Sequence, residues 1–205
     1  MALKLIHFPN TRSLRVVWAI EELGLDAEID TRVFDRPSLK EPEYLALNPL
    51  GKTPVFFDGD KRLIESTAII QYLADVYGGG ALSRKPGDDD YGEFLQWLHF
   101  GEAGMGGYVN MLIAQTALLP EDQRIPSMKV WAEKETANCL AFLEGALEDR
   151  EYLLGAFSLA DISVAYLLFL IKITRNGGLF GDGVRAYFKR ITDRKGWQKA
   201  MAYQP

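Results

Sequence analysis

A single cysteine, Cys139, occurs in the 205 residues, so no intrachain disulfide can form. A reducing compartment, the cytoplasm, is the default expectation. Histidine is nearly as scarce: there are two, and neither H-x-x-H nor H-E-x-x-H spacing occurs, so no metal site is expected. Lys and Arg form no cluster, and the net charge is -5 with a pI near 5.2. Nucleic acid and anionic membrane surfaces both reward a basic patch and are not expected as partners. The one long apolar run, Ile162 to Ile173, is too short to span a bilayer and has Asp161 and Lys172 at its ends. It reads as a buried core helix. The N-terminal MALKLIHFPNTRS lacks an extended apolar core followed by a small-residue cleavage site, so no secretory signal is expected. What the chain does contain, 48% hydrophobic and 25% charged residues, is the composition of an ordinary soluble globular protein, with enough length for two small cores.

Leu3 to Phe8 reads as a first strand, and Ser13 to Leu23 as a helix ended by Gly24. Glu28 to Phe34 alternates like a strand with one wet face, and Glu43 to Leu47 can hold a short helix. Asp58-Gly59 then separates Val55, Phe56 and Phe57 from Leu63 and Ile64, the chemistry of a hairpin. A helix follows with Ile69, Tyr72, Leu73 and Val76 on one face and Ser66 in position to cap it. The order βαβ-α-ββα resembles a thioredoxin-like α/β domain. Gly78-Gly79-Gly80 and the polar Ser83 to Asp90 form a linker, and the rest reads as all-α. Asp90 to about Ala117 is one long helical pattern in which Gly101, Gly104, Gly106 and Gly107 imply a kink or the close approach of another surface. Thr136, Leu140, Leu143 and Leu147 mark the core face of a second long helix, with Pro126 near its first turn. Ser158 and Asp161 make a capping-box pair, with Phe157 and Ile162 as a hydrophobic staple. Two domains are predicted, residues 1–79 and 87–205.

Two places carry chemistry. Within Asn48 to Tyr77, a helix start with free N–H groups and the Ser66 hydroxyl favours a carboxylate, while Glu65 beside it favours an amine. One end of an amino acid needs both. The loop Thr11-Arg12-Ser13 sets hydroxyls at another helix start, directly after a strand, and such a place stabilises a thiolate. Each unit of depression from a thiol pKa near 8.5 is about 1.4 kcal/mol, so one hydroxyl bond and a helix terminus can supply about one to two units.

In this order and spacing, G-K-T-P, E-S and Pro9 to Val16 resemble the glutathione S-transferase family, and the resemblance covers nearly the whole chain. It implies that Thr53, before a cis Pro54, bonds the cysteinyl part of glutathione through its backbone and that Glu65 and Ser66 hold the γ-glutamyl end. Lys40 or Lys52 would meet the glycyl carboxylate, Lys52 being favoured by its place in the motif, and Asn48 would hold the loop. The serine of serine-type members corresponds to Thr11, with Ser13 and His7 as rivals for the thiol. No cysteine stands in this loop, so mixed-disulfide chemistry there is excluded. Trp97-Leu98-His99-Phe100-Gly101-Glu102 resembles a family run in which the position of His99 approaches glutathione from a neighbouring subunit. Met105, Tyr108, Met111 and Leu112 would wall the pocket of a small apolar electrophile. The resemblance thus implies a cytoplasmic homodimer with glutathione as cosubstrate, acting in detoxification as a transferase. Glutathione-dependent peroxide or disulfide reduction, or glutathione binding without catalysis, remain open alternatives.

Overall fold

The computed structural model describes residues 2–205. Strand β1 (Leu3–His7) is followed by α1 (Ser13–Leu23), β2 (Ala27–Thr31), α2 (Pro42–Leu47), β3 (Val55–Asp58), β4 (Lys61–Leu63) and α3 (Ser66–Val76). The four strands form one sheet in the order β2-β1-β3-β4, with β1 parallel to β2 and the other two pairs antiparallel. The succession βαβ-α-ββα is the predicted thioredoxin-like one. β1 is central and buried on both faces: Leu5 lies opposite Phe56 on one, and Ile6 lies opposite Val55 on the other. Ile6 and Val55 pack with Phe8, Leu39 and Tyr44 of α2. α1 buries every residue from Ser13 to Ile20 and ends at Gly24, whose φ of +63° is the left-handed conformation a side chain disfavours.

Three local readings change. β2 stops at Thr31, not Phe34, because its only neighbour β1 ends at the paired His7; Val33 is left 70% exposed. The hairpin turn is Gly59-Asp60, with Gly59 at φ +57°, while Asp58 belongs to the ladder opposite Lys61 and accepts a bond from the Tyr72 hydroxyl at 2.5 Å. Ser66 is the first helical residue of α3, and the cap position is Glu65.

The chain divides into two compact units, Met1–Ser83 with Asp193–Pro205, and Arg84–Thr192. The terminal segment, predicted within an 87–205 domain, therefore packs with the first unit. Its helix α9 (Lys195–Ala202) lies against α1, where Trp197 meets Trp18 edge-on at 5.0 Å and Arg194 grips Glu22 with two bonds of 2.8 and 2.7 Å. Periodicity marks an apolar face but not the surface that covers it, which is why the sequence did not separate α9 from its neighbours.

The second unit is helical throughout: α4 (Tyr91–His99), α5 (Gly106–Ile113), α6 (Pro126–Ala146), α7 (Leu159–Ile173) and α8 (Asp182–Thr192). The long pattern from Asp90 is broken by π-helical turns at Phe100–Gly104 and Ala114–Leu118. Both readings of the glycines hold in part, since Gly101 sits in the first of these turns directly against α7. A Cβ there would lie 2.6 Å from the Ser163 carbonyl carbon, and Ser163 donates its hydroxyl to Leu98 O at 2.8 Å. Thr136, Leu140, Leu143 and Leu147 are buried as predicted, and Pro126 occupies the first turn of α6. α7 is buried along nearly its whole length. Its Asp161 closes the predicted capping box with the Ser158 N–H at 2.8 Å, and also accepts from Leu153 N and from the Tyr187 hydroxyl. Among the described residues no helix is long and apolar enough to cross a membrane.

Candidate active site

The loop from β1 to α1 turns at Asn10, whose φ of +63° suits asparagine better than most residues. The turn returns the chain so that Thr11 O accepts from Leu14 N and Ser13 opens α1 beside the end of β1. Here the three rivals for a thiol prove to be one hydrogen-bonded chain. His7 Nδ1 lies 2.8 Å from Ser13 Oγ, Ser13 Oγ lies 2.9 Å from Thr11 Oγ1, and Thr53 Oγ1 donates to Thr11 Oγ1 at 2.8 Å. Phe8 contributes its N–H to Ser13 Oγ at 3.0 Å, and its carbonyl receives Thr11 Oγ1 at 2.8 Å and Ser13 Oγ at 3.0 Å. His7 and Ser13 are buried, whereas Thr11 and Thr53 are half-buried. Only the outer two hydroxyls have surface to offer a ligand.

The loop before β3 is held by its own side chains. Asn48 donates Nδ2 to Lys52 O at 2.7 Å and accepts from Leu50 N at 3.0 Å, and Tyr44 donates its hydroxyl to Lys52 O at 2.8 Å. Thr53 then precedes Pro54 through a cis bond. Lys40 and Lys52 are both exposed, but Lys40 Nζ already donates to Leu50 O at 3.0 Å, while the Lys52 ammonium has no partner among the described residues.

At the start of α3, Glu65 is exposed and has φ +75° and ψ +105°. A non-glycine residue there carries a cost of about 1–3 kcal/mol, which the surrounding structure must impose. The neighbours impose it: β4 ends two residues earlier, and buried Ser66 accepts a bond of 3.1 Å from Nη1 of Arg15, which is itself fully buried in α1. Arg15 was not among the sequence candidates. Its signal was available, since an arginine inside Leu14 to Ile20, otherwise all apolar, cannot reach water and must serve a buried acceptor.

The model of the glutathione S-transferase N-terminal domain matches residues 1–75. Glutathione S-transferase 3 of Schizosaccharomyces pombe is 33% identical over 203 residues, an alignment covering 92% of this chain and 82% of that one. The chain belongs to the glutathione S-transferase family. Glutathione S-transferase F10 of Arabidopsis thaliana is 29% identical, with 93% and 92% covered. A glutathione transferase from Phanerochaete chrysosporium, solved with oxidised glutathione, superposes with a TM-score of 0.83 at 28% identity over 97% of this chain and 92% of that one. One from Pseudomonas putida, with one glutathione disulfide bound per subunit, reaches 0.88 at 25% identity over 100% and 92%.

The remaining candidates lie in the other unit. His99 is exposed at the end of α4. Met105 and Leu112, expected in a pocket wall, are buried, which leaves Tyr108 and Met111 half-buried; Tyr108 meets Trp131 edge-on at 5.3 Å. Cys139 is half-buried on α6, and burial raises its thiol pKa, the reverse of what a nucleophile needs.

Burial also pushes the His7 pKa down from 6.5 to about 4, partly countered by a hydrogen bond to the Tyr203 backbone. The imidazole inside this glutathione S-transferase fold is therefore neutral at pH 7. Between about pH 6.5 and 4 the unfolded chain takes up a proton that the folded chain refuses, so stability present above pH 6.5 is lost on acidification, by up to about 3 kcal/mol. Urea midpoints measured from pH 7.5 to 4.5 should fall across that window. His7→Asn should flatten this component; an identical slope in the variant would show that His7 does not titrate in the unfolding.

Proposed function

We propose that the protein is a cytoplasmic glutathione transferase in which bound glutathione is ionised beside Thr11. The observation that carries the reading is the hydroxyl chain: Ser13 and His7 are buried behind Thr11, and Thr11 accepts from Thr53 Oγ1 while its own proton, donated to Phe8 O at 2.8 Å, can turn to a ligand. A hydroxyl that accepts one bond is polarised into a better donor, and a donor to an anion is worth roughly twice a neutral one. The start of α1 adds a favourable dipole. Glutathione would lie with its γ-glutamyl end at Glu65 and Ser66, its cysteinyl amide against the Thr53 backbone before Pro54, and its glycyl carboxylate near Lys52. The free Lys52 ammonium supports this over Lys40, whose ammonium is spent on the loop.

In the reaction the thiol proton leaves to water, the thiolate forms a bond to an electrophilic carbon of a small apolar substrate, and the leaving group departs with its electron pair. With chloronitrobenzene the carbon–chlorine bond breaks and chloride is released. Thr11→Ala should lower kcat for this substrate by about 10–100-fold, the value of a hydrogen bond to a charged group, and Thr11→Ser should remain within about threefold of the parent. Equal activity in Thr11→Ala would remove Thr11 from the mechanism. Parallel assays with a hydroperoxide and a small disulfide separate transfer from reduction, and binding of glutathione without turnover of any of the three would sink the enzyme reading.

Strain at Glu65 supports the γ-glutamyl assignment, because the end of β4 and the Arg15-anchored Ser66 hold an exposed carboxylate in one strained backbone conformation beside the start of α3. Glycine adopts φ +75° freely. Glu65→Gly should leave the melting temperature unchanged or higher while weakening glutathione affinity at least about tenfold in a calorimetric titration. Unaltered affinity would take Glu65 out of the site.

A homodimer is the assembly we propose. Val130, Trp131 and Phe142 stand 66%, 48% and 52% exposed on α6, apolar surface that a second copy would cover. Light scattering should give twice the 23.0 kDa chain mass; a 23.0 kDa species at micromolar concentration would refute it.

A further inference from the structure

Thr53 stands in the loop before β3 and Thr11 in the loop after β1, 42 residues apart in sequence, yet their hydroxyl oxygens lie 2.8 Å from each other. The loop that carries Thr53 is pinned one residue earlier, where Asn48 Nδ2 and the Tyr44 hydroxyl both donate to Lys52 O. Both threonines are half-buried, so the pair borders surface that a ligand can reach.

A third atom sets the direction of this bond. Phe8 O lies 2.8 Å from Thr11 Oγ1, and a carbonyl only accepts, so the single Thr11 proton points there. Thr53 is therefore the donor and fills one of the two Thr11 lone pairs. The Ser13 N–H fills the other at 3.3 Å. Thr11 is left with a proton to give and no lone pair to offer. A thiolate only accepts, and is the partner such an oxygen suits; the S–H of a neutral thiol finds no acceptor on it. Turning the proton outward leaves no orphan behind, because Phe8 O keeps Ser13 Oγ at 3.0 Å and the Thr11 N–H at 3.2 Å.

We propose that Thr53, through its hydroxyl, is a positioning residue that makes Thr11 selective for the ionised form of a bound thiol: it occupies the lone pair through which a neutral S–H could be held and strengthens the donor that the thiolate needs. Resting on the transferase reading above, this role of the side chain is separate from that of the Thr53 backbone. Removing the hydroxyl opens the lone pair to the neutral thiol and leaves the thiolate a weaker donor. Both changes raise the thiol pKa. Neither touches the backbone contact with the cysteinyl amide, so binding of glutathione is largely preserved.

Thiolate absorbance of enzyme-bound glutathione, followed against pH, tests this in the parent, in Thr53→Val, which keeps the shape and removes the hydroxyl, in Thr53→Ser, and in Thr11→Ala with and without Thr53→Val. The parent should show a depressed thiol pKa that Thr11→Ala abolishes. Thr53→Val should raise it by about 0.5–1 unit and lower kcat about 3–10-fold at pH 6.5, with KM for glutathione within about twofold. At pH 9, where the thiol is ionised in both enzymes, the two kcat values should agree within about twofold. Thr53→Ser keeps the donor and should restore the parent pKa. Added to Thr11→Ala, Thr53→Val should have no further effect, because it acts through the Thr11 oxygen. An unchanged thiol pKa in Thr53→Val, an equal rise in Thr53→Ser, or a further rise in the Thr11→Ala background overturns the inference while leaving the transferase reading intact. If Thr53→Val does not fold, Thr53→Ala carries the same expectations. A parent enzyme that forms no thiolate overturns both.

Discussion

The hydroxyl of Ser13 is the constraint on which the first unit turns. It has one proton and two lone pairs, yet four polar atoms lie within 3.0 Å: His7 Nδ1, Thr11 Oγ1, Phe8 N and Phe8 O. Not all four bonds can exist at once, so the arrangement of protons is decided by neighbours and not by Ser13 itself. The same oxygen fastens the end of the central strand to the first residue of α1, and in a buried site each bond lost leaves a polar group unsatisfied at about 1–3 kcal/mol. Strand end, helix start and the half-exposed Thr11 are consequently one rigid piece. Preorganisation of this kind matters more for stabilising a charge than the strength of any single bond.

A second rigid piece is built the opposite way, by strain. Glu65 is held at positive φ between the end of β4 and a Ser66 anchored by Arg15 from α1. The strain of about 1–3 kcal/mol is comparable to the value of a hydrogen bond from a charged donor, about 1.5–3 kcal/mol, such as the one Arg15 makes to Ser66. Arg15 therefore couples the two pieces: the helix whose start carries Ser13 also carries the cation that fixes Ser66. The bond from Thr53 to Thr11 adds a third connection, from the loop held by Asn48 and Tyr44.

Where local chemistry decides, the sequence was readable. The limits of α1 with its stop at Gly24, the Ser158/Asp161 box and the succession of strands and helices in the first domain all follow from residues near one another in the chain. The failures share a cause. β2 is shorter than its alternation suggests because pairing ends with β1, Ser66 stands one position past the cap because Glu65 takes a conformation no propensity favours, and α9 joins the first unit through Trp18 and Glu22, some 170 residues away in sequence. The same holds for the site. His7, Ser13 and Thr11 were legible as rivals because each is a plausible donor alone; that they form a single chain joined to Thr53 is a fact of tertiary placement. Arg15 was passed over because a basic residue in a helix is usually solvated, and only its uninterrupted apolar neighbourhood contradicts that.

Threonine in place of serine at position 11 looks at first like a handicap, since a β-branched side chain has fewer ways to present its oxygen. The geometry argues the reverse. Thr11 Oγ1 is engaged by Phe8 O at 2.8 Å, Ser13 Oγ at 2.9 Å, Thr53 Oγ1 at 2.8 Å and Ser13 N at 3.3 Å, all compatible with one side-chain orientation. A serine there could leave this arrangement for another rotamer and would lose side-chain freedom on returning; the added methyl limits those alternatives before any ligand arrives. With the oxygen stationary, only the hydroxyl proton has to move between Phe8 O and a ligand anion. A residue that narrows the choice of rotamer is then suited to a site whose function depends on the direction of one proton.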